Sequence, residues 1–199
     1  MDEPKSLDDA LRAVWSDLTH GAADARAPFH TPALACIGAD GCDVRTVVLR
    51  RATPERRELA FHTDARAPKV ADLCRNPATA WAFYDPARKI QVRAKGATRV
   101  HHGDDVAREA WERTPPMSRR CYLIQRAPSA VVDACMSGLP EPFVERSPTL
   151  EESEAGWANF AVCVTVVTRL DWLHLAAKGH RRAAFDWNGE TFAGAWIIP

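Results

Sequence analysis

Phe61-His62-Thr63-Asp64-Ala65-Arg66-Ala67-Pro68-Lys69 is the stretch that organises the reading of this chain. A strand-like segment, Glu58–His62, ends there, a turn follows, and a helix opens at Pro68. Proline suits a first helical position, Val70, Leu73 and Cys74 share one face, and Asn76-Pro77 ends the run near Arg75. Amides at a helix start point outward unsatisfied and carry partial positive charge. Arg66 and Lys69 add two cations, and Thr63 adds a hydroxyl donor. Cations there oppose the helix dipole, so the pattern predicts a bound dianion. A solvated, charged turn would use the same residue types.

Two neighbouring segments extend this reading. Arg45-Thr46-Val47-Val48-Leu49-Arg50 is a β-branched run bracketed by guanidinium groups, read as one strand. In a regular strand its two arginines face opposite sides, so one pocket takes both only if a bulge or strand end redirects one. Lys89-Ile90-Gln91-Val92-Arg93-Ala94-Lys95-Gly96 alternates strictly, placing Gln91, Arg93 and Lys95 on one face.

Elsewhere the pattern is mostly short strands. A helix from Leu7 to about Leu18 starts at the capping-box pair Ser6 and Asp9. Strands are expected at Ala33–Gly38, Ala80–Tyr84, Ile90–Val100, Phe160–Thr168 and Asp171–Leu175. Helices are expected at Asp104–Arg113, Ser118–Gln125 and Ser129–Ser137, and an exposed loop at Gly138–Gly156. Asn188-Gly189 between aromatic-rich runs signals a two-residue hairpin. Together these predict a mainly β (α+β) chain, an antiparallel barrel decorated by helices, in a single domain over 1–199.

Composition narrows the function classes. Lys+Arg and Asp+Glu are each 26, a formal net charge of zero that argues against nonspecific nucleic-acid binding. No apolar run approaches the roughly 18–20 residues of a membrane span. Met1-Asp2-Glu3-Pro4-Lys5 lacks a secretory start, and six scattered cysteines form no zinc pattern, so a cytoplasmic protein without a metal is expected.

Read in order, the three segments resemble the flavin-binding half of the pyridoxamine 5′-phosphate oxidase family, over about Arg45 to Arg99 and again from Trp157 to Pro199. Trp157-Ala158-Asn159-Phe160 and Leu170-Asp171-Trp172 resemble the family's pocket-closing segment. The resemblance implies an FMN-binding split β-barrel with peripheral helices, working as a homodimer with flavin at the subunit interface. It implies cofactor contacts at Arg45, Thr46, Val47, Val48, Arg50, His62, Thr63, Arg66, Lys69 and Gln91.

The departures define the expectation further. Typical members end the phosphate turn in Arg-Lys, where this chain has Pro68-Lys69, and Arg66 replaces the missing guanidinium. That looks like a variant subgroup of oxidase-related proteins. Of the family's substrate-phosphate residues Tyr, Arg and Ser, only Ser118 survives here, with Ala110 or Trp111 and Thr114 at the other positions. The element that holds the pyridoxal ring appears as His180-Arg181-Arg182. The expected activity is therefore FMN-dependent oxidation or reduction of an unidentified small substrate, with no residue singled out as general acid or base. A split-barrel protein that holds flavin or haem without turnover is the alternative, and pyridoxamine phosphate oxidation itself is the weaker one.

Overall fold

The computed structural model describes residues 4–199; the Met1–Glu3 start of the expected leaderless terminus lies outside them. Helix α1 (Leu7–Ala23) begins as its sequence directs: Asp9 N–H donates to Ser6 Oγ and Ser6 N–H to Asp9 Oδ2, each at 3.1 Å. Its Ala10, Val14, Trp15 and Leu18 face is buried. Strands β1 (Ala33–Gly38), β2 (Gly41–Thr46), β3 (Arg51–Thr53) and β4 (Glu58–Asp64) follow, then helix α2 (Pro68–Arg75). Next come β5 (Ala78–Asp85), β6 (Ile90–His101), α3 (Asp105–Glu112), and the short helices α4 (Pro116–Arg119), α5 (Pro142–Glu145) and α6 (Leu150–Ser153). The 15-residue β7 (Phe160–His174), β8 (Arg181–Trp187) and β9 (Phe192–Ile197) close the chain. No helix among the described residues is long and apolar enough to cross a membrane.

The expected barrel does not form. The strands make a single sheet in the order β2-β1-β5-β6-β7-β4-β3, with β8 on β7 and β9 on β8, and the end strands β2 and β3 do not pair with each other. The physical reason lies in the Arg45–Arg50 run, expected as one continuous strand. It breaks after Thr46, and β3 is only three residues long. Between them Val47 and Leu49 N–H donate to the carbonyls of Pro32 and His30, and Arg50 N–H donates to Ala60. Those single bonds direct the segment to two different neighbours and build no ladder between the sheet ends. The fold is mixed α and β, an open sheet with helices packed on it.

β7 is the shared strand. Its Phe160–Val166 half pairs with β4 and its Arg169–His174 half with β8, while β6 runs along its other edge. The two segments expected around Leu170 are therefore one strand. The main core packs α1 against Leu34, Phe61, Trp81 and Trp172; a second cluster of Ala60, Trp111, Tyr122, Phe160, Val162 and Val164 lies on the other face. Buried hydroxyls are satisfied among themselves: Trp81 Nε1 donates to Thr165 Oγ1 at 3.0 Å, and Thr165, Thr98 and Thr79 link at 2.6 and 2.8 Å.

Three other expectations change. Gly138–Gly156, expected as a loop, holds the short helices α5 and α6, the latter started by a Thr149–Glu152 capping box. Ser129–Ser137 forms no helix; Ser129 has φ 70°, and Val131 is 92% exposed, so no apolar face is buried to hold one. The C-terminal hairpin forms, but four residues connect Trp187 to its partner Phe192. Asn188 Oδ1 accepts from the amides of Glu190 and Thr191, and Gly189 takes φ 110°.

A Cβ on Gly96 would stand 2.1 Å from the Val166 carbonyl oxygen, at the point where the β6–β7 register shifts. Backbone on both sides leaves little room to yield. Gly96→Ala is expected to cost about 2 kcal/mol or more, as overpacking does, read as a lower urea midpoint in equilibrium unfolding.

Candidate functional site

The end of β4 and the start of α2 bring cations and a hydroxyl together. Thr63 lies beside the core-facing Phe61 row, opposite Ala161 of β7. Lys69, in the first turn of α2, donates from Nζ to Thr63 Oγ1 at 3.2 Å. Burial lowers the Lys69 pKa, and the nearby Arg45 guanidinium lowers it further. Arg45 comes from β2, where it donates to Cys36 Sγ at 2.8 Å and pairs with Asp43. The α2 start has no side-chain cap on its amides. Two cations near enough to repel each other, a hydroxyl and uncapped amides form a donor set suited to a phosphate.

Arg66 is used differently from its sequence expectation. Its Nε and Nη2 grip Asp64 Oδ1 and Oδ2 at 3.0 and 2.7 Å. Nη2 and Nη1 also donate to the carbonyls of Ile124 and Gln125 at 2.9 and 3.1 Å. Asp64 and two carbonyls thus occupy this guanidinium, which fastens residues 124–125 to the turn.

A second group lies on the opposite face of β4. Arg50, Arg51 and His62 border a cleft of about 330 Å³, closed by Glu109 of α3 and by Arg113 and Thr114 just after it. Arg119 braces this wall: it is 2% exposed, donates to the Trp111 and Thr114 carbonyls at 2.8 Å each, and sits 4.4 Å over the Trp111 ring. His62 packs edge-on against Phe160 with ring centroids 4.9 Å apart. Burial, then Arg50 and Arg51, lower its pKa to about 4, so the ring is neutral near pH 7. Arg51 bonds Glu58 at 3.1 Å, yet its Nε is buried without a partner among the described residues.

The remaining expected residues divide. Thr46 is exposed at the end of β2, Val47 belongs to the main core, and Val48 is half-buried. Gln91 lies on β6 opposite Tyr84 and Leu173, apart from both groups. Ser118 is in α4, where its carbonyl accepts from Cys121; it does not line the cleft, although Thr114 and Pro115 do. His180, Arg181 and Arg182 border a separate depression of about 930 Å³ with Trp196. One chain does not bring them to the His62 cleft. Sequence reasoning missed Arg51, Glu109 and Arg113; the signal was there in the Arg50-Arg51 doublet and in the helical spacing of Val106, Ala110 and Arg113.

A histidine held neutral in the folded state, with an ordinary value of 6.5 when unfolded, makes the native protein less stable as pH falls from about 6.5 towards 4. The contribution is on the order of 3 kcal/mol. His62→Phe is expected to lose less stability than the parent over that window, measured by urea unfolding at pH 7 and pH 4.5.

Comparisons with known proteins bear on the fold. Residues 12–102 match the model of the family described as pyridoxamine 5′-phosphate oxidase, FMN-binding domain. No curated protein matches the chain. Among solved structures, it is similar to a pyridoxamine 5′-phosphate oxidase-related, FMN-binding protein from Nostoc punctiforme, with TM-score 0.72, 18% identity and full coverage of both chains. It is also similar to PhzG from Burkholderia lata, solved with tetrahydrophenazine-1-carboxylic acid: TM-score 0.68, 15% identity, 100% of this chain and 95% of that one. A relative of general stress protein 26 from Clostridium acetobutylicum gives TM-score 0.56 at 10% identity, over 88% of this chain and 93% of the other. The chain therefore shares the fold of these proteins, and its segment 12–102 matches the FMN-binding domain model of the pyridoxamine 5′-phosphate oxidase family.

Proposed function

We propose that this protein binds FMN and acts as an FMN-dependent oxidoreductase on a small anionic substrate. One observation carries the reading: Lys69 in the first turn of α2 donates to Thr63 Oγ1 at 3.2 Å, with Arg45 acting on the same ammonium, within the segment that matches the FMN-binding domain model. Burial and the Arg45 charge both disfavour the Lys69 ammonium, and a bound anion would favour it. These three residues fit the cofactor phosphate, with Arg66 keeping the 124–125 segment against the turn.

Bound FMN would supply hydride acceptance and onward electron transfer. The chain's own residues bind and orient. Arg50, Arg51 and Arg113 outnumber Glu109, which pairs with Arg113 at 2.7 Å, and leave the cleft net positive, favouring a substrate with a carboxylate or phosphate. The neutral His62 ring offers one nitrogen as acceptor and one as donor to a molecule in that cleft.

A homodimer belongs to the same proposal. Ile37, Val44 and Tyr84 are 43%, 60% and 48% exposed. Together with Ala35 and Ala80 they share the face of β2-β1-β5 that continues to Gln91 on β6. An apolar strip next to a polar amide suits a partner subunit lying across a ligand. Val44→Asp is expected to shift the protein from dimer to monomer, read by light scattering after gel filtration; an unchanged mass would remove this strip from the interface.

The cofactor reading is tested by absorbance of the purified protein and by titration with FMN and riboflavin. Lys69→Ala should weaken FMN by about tenfold or more, the loss of roughly one charge-assisted bond, and leave riboflavin nearly unchanged. A colourless protein that takes up no FMN would sink the proposal, and equal losses for both flavins would refute the phosphate role of Lys69. Anaerobic reduction of the bound flavin by NADH, NADPH or a small anionic substrate separates turnover from passive holding.

A further inference from the structure

The outward face of the β6–β7–β8 ladder carries a surplus of positive charge unrelated to the phosphate group described above. Lys95 of β6 stands directly opposite Arg169 of β7. Like charges facing each other across an antiparallel pair are destabilising. The β6–β7 register shifts immediately after Lys95. Irregularities of this kind re-aim side chains and gather beside functional sites. In the next row Arg93 faces Asp171, and Arg182 reaches the same carboxylate from β8. These five residues line a depression of about 290 Å³ whose walls are entirely charged.

The carboxylates there are already engaged. Asp171 Oδ2 accepts from Arg93 Nη2 at 2.7 Å and Arg182 Nη2 at 2.8 Å, and Oδ1 accepts from Arg182 Nε at 3.1 Å. Asp186 takes two bonds of 2.7 Å, both from Arg169 Nη1. Four cations therefore share two acids. Arg93 Nε is buried with no hydrogen-bond partner among the described residues. Such an orphaned donor in a native fold points to an ion or water that completes it.

We propose that this depression binds a small dianion of the phosphate class, held by Arg93, Lys95 and Arg169 while Asp171 and Arg182 keep the guanidinium of Arg93 in place. A tetrahedral anion has enough acceptor oxygens for two guanidinium edges and an ammonium at once. Arg93 and Lys95 alternate with Val92 and Ala94, which face the main core, so the site lies on the side of β6 away from it. Lys69 lies instead near Cys36 and Cys163 of that core. The two anion sites are therefore separate, and this one borders the strip offered above to a partner subunit, since Lys95 stands opposite Ala80 and Arg93 opposite Ala82.

The test is calorimetric titration of the full chain with inorganic phosphate at constant ionic strength, with chloride as the reference anion. Glycerol 3-phosphate in a second arm separates free phosphate from a phosphate ester as the preferred form. Binding should persist in Lys69→Ala and weaken tenfold or more in Lys95→Ala/Arg169→Ala. Both substituted side chains are at least partly exposed and mutually repulsive, so the double variant should melt near the parent temperature. If it does not fold, Lys95→Gln alone should weaken phosphate several-fold. Phosphate binding that vanishes in Lys69→Ala, survives loss of the Lys95 and Arg169 charges, or never exceeds the chloride reference overturns the proposal.

Discussion

The close approach of β6 to β7 at Gly96 is the constraint on which the sheet depends. A hydrogen in place of a side chain lets the Val166 carbonyl lie where a Cβ would otherwise be. The irregularity there allows one 15-residue strand to change partners along its length. β7 serves β4 with its first half and β8 with its second, while β6 holds the opposite edge throughout. The buried threonine chain of residues 79, 98 and 165 fixes the same place from the side-chain direction, with Trp81 as its donor. A sheet that branches in this way is open at β2 and β3, and the three single bonds of residues 47–50 take the place of a ladder there.

That architecture explains why the polar groups are sorted as they are. β4 is buried on both faces, by the main core on one side and by the α3 cluster on the other. Successive residues of one strand therefore reach different chemistries. Thr63 meets Lys69 and the core edge, whereas His62 meets Phe160 and the arginine-lined cleft. Desolvation acts on both sides: it lowers the Lys69 ammonium and holds His62 neutral. Each effect raises the worth of an anion bound nearby, since charges unscreened by water interact more strongly.

Local signals in the sequence were reliable where the physics is local. The Ser6–Asp9 capping box, the Pro68 start of α2, and the place though not the length of the Asn188-Gly189 turn all use groups within three or four residues of each other. The partners of Arg66 were only partly legible: Asp64 is two residues away, but the carbonyls at 124 and 125 come from a loop that no local pattern connects to the turn. The Arg45–Arg50 run failed for a related reason. Its composition suits a strand, yet its hydrogen-bonding partners are Pro32 and His30 on one side and Ala60 on the other, and propensity cannot choose between them. Ser129–Ser137 had helix-compatible residues but nothing to bury, and packing is what stabilises a short helix.

The sequence by itself determined the alternating strands, the capped first helix, the cation-bearing turn between β4 and α2, and the resemblance that pointed to a flavin phosphate. Those depend on residue type and short spacing. Only the tertiary structure decided that the sheet stays open, that Asp64 and two carbonyls engage Arg66, and that Arg50, Arg51 and Arg113 share a cleft with a neutral histidine. Charge placement of that kind is a property of contacts between remote segments. It is set by which carboxylates and carbonyls reach each guanidinium first, and that competition is resolved only when the chain is packed.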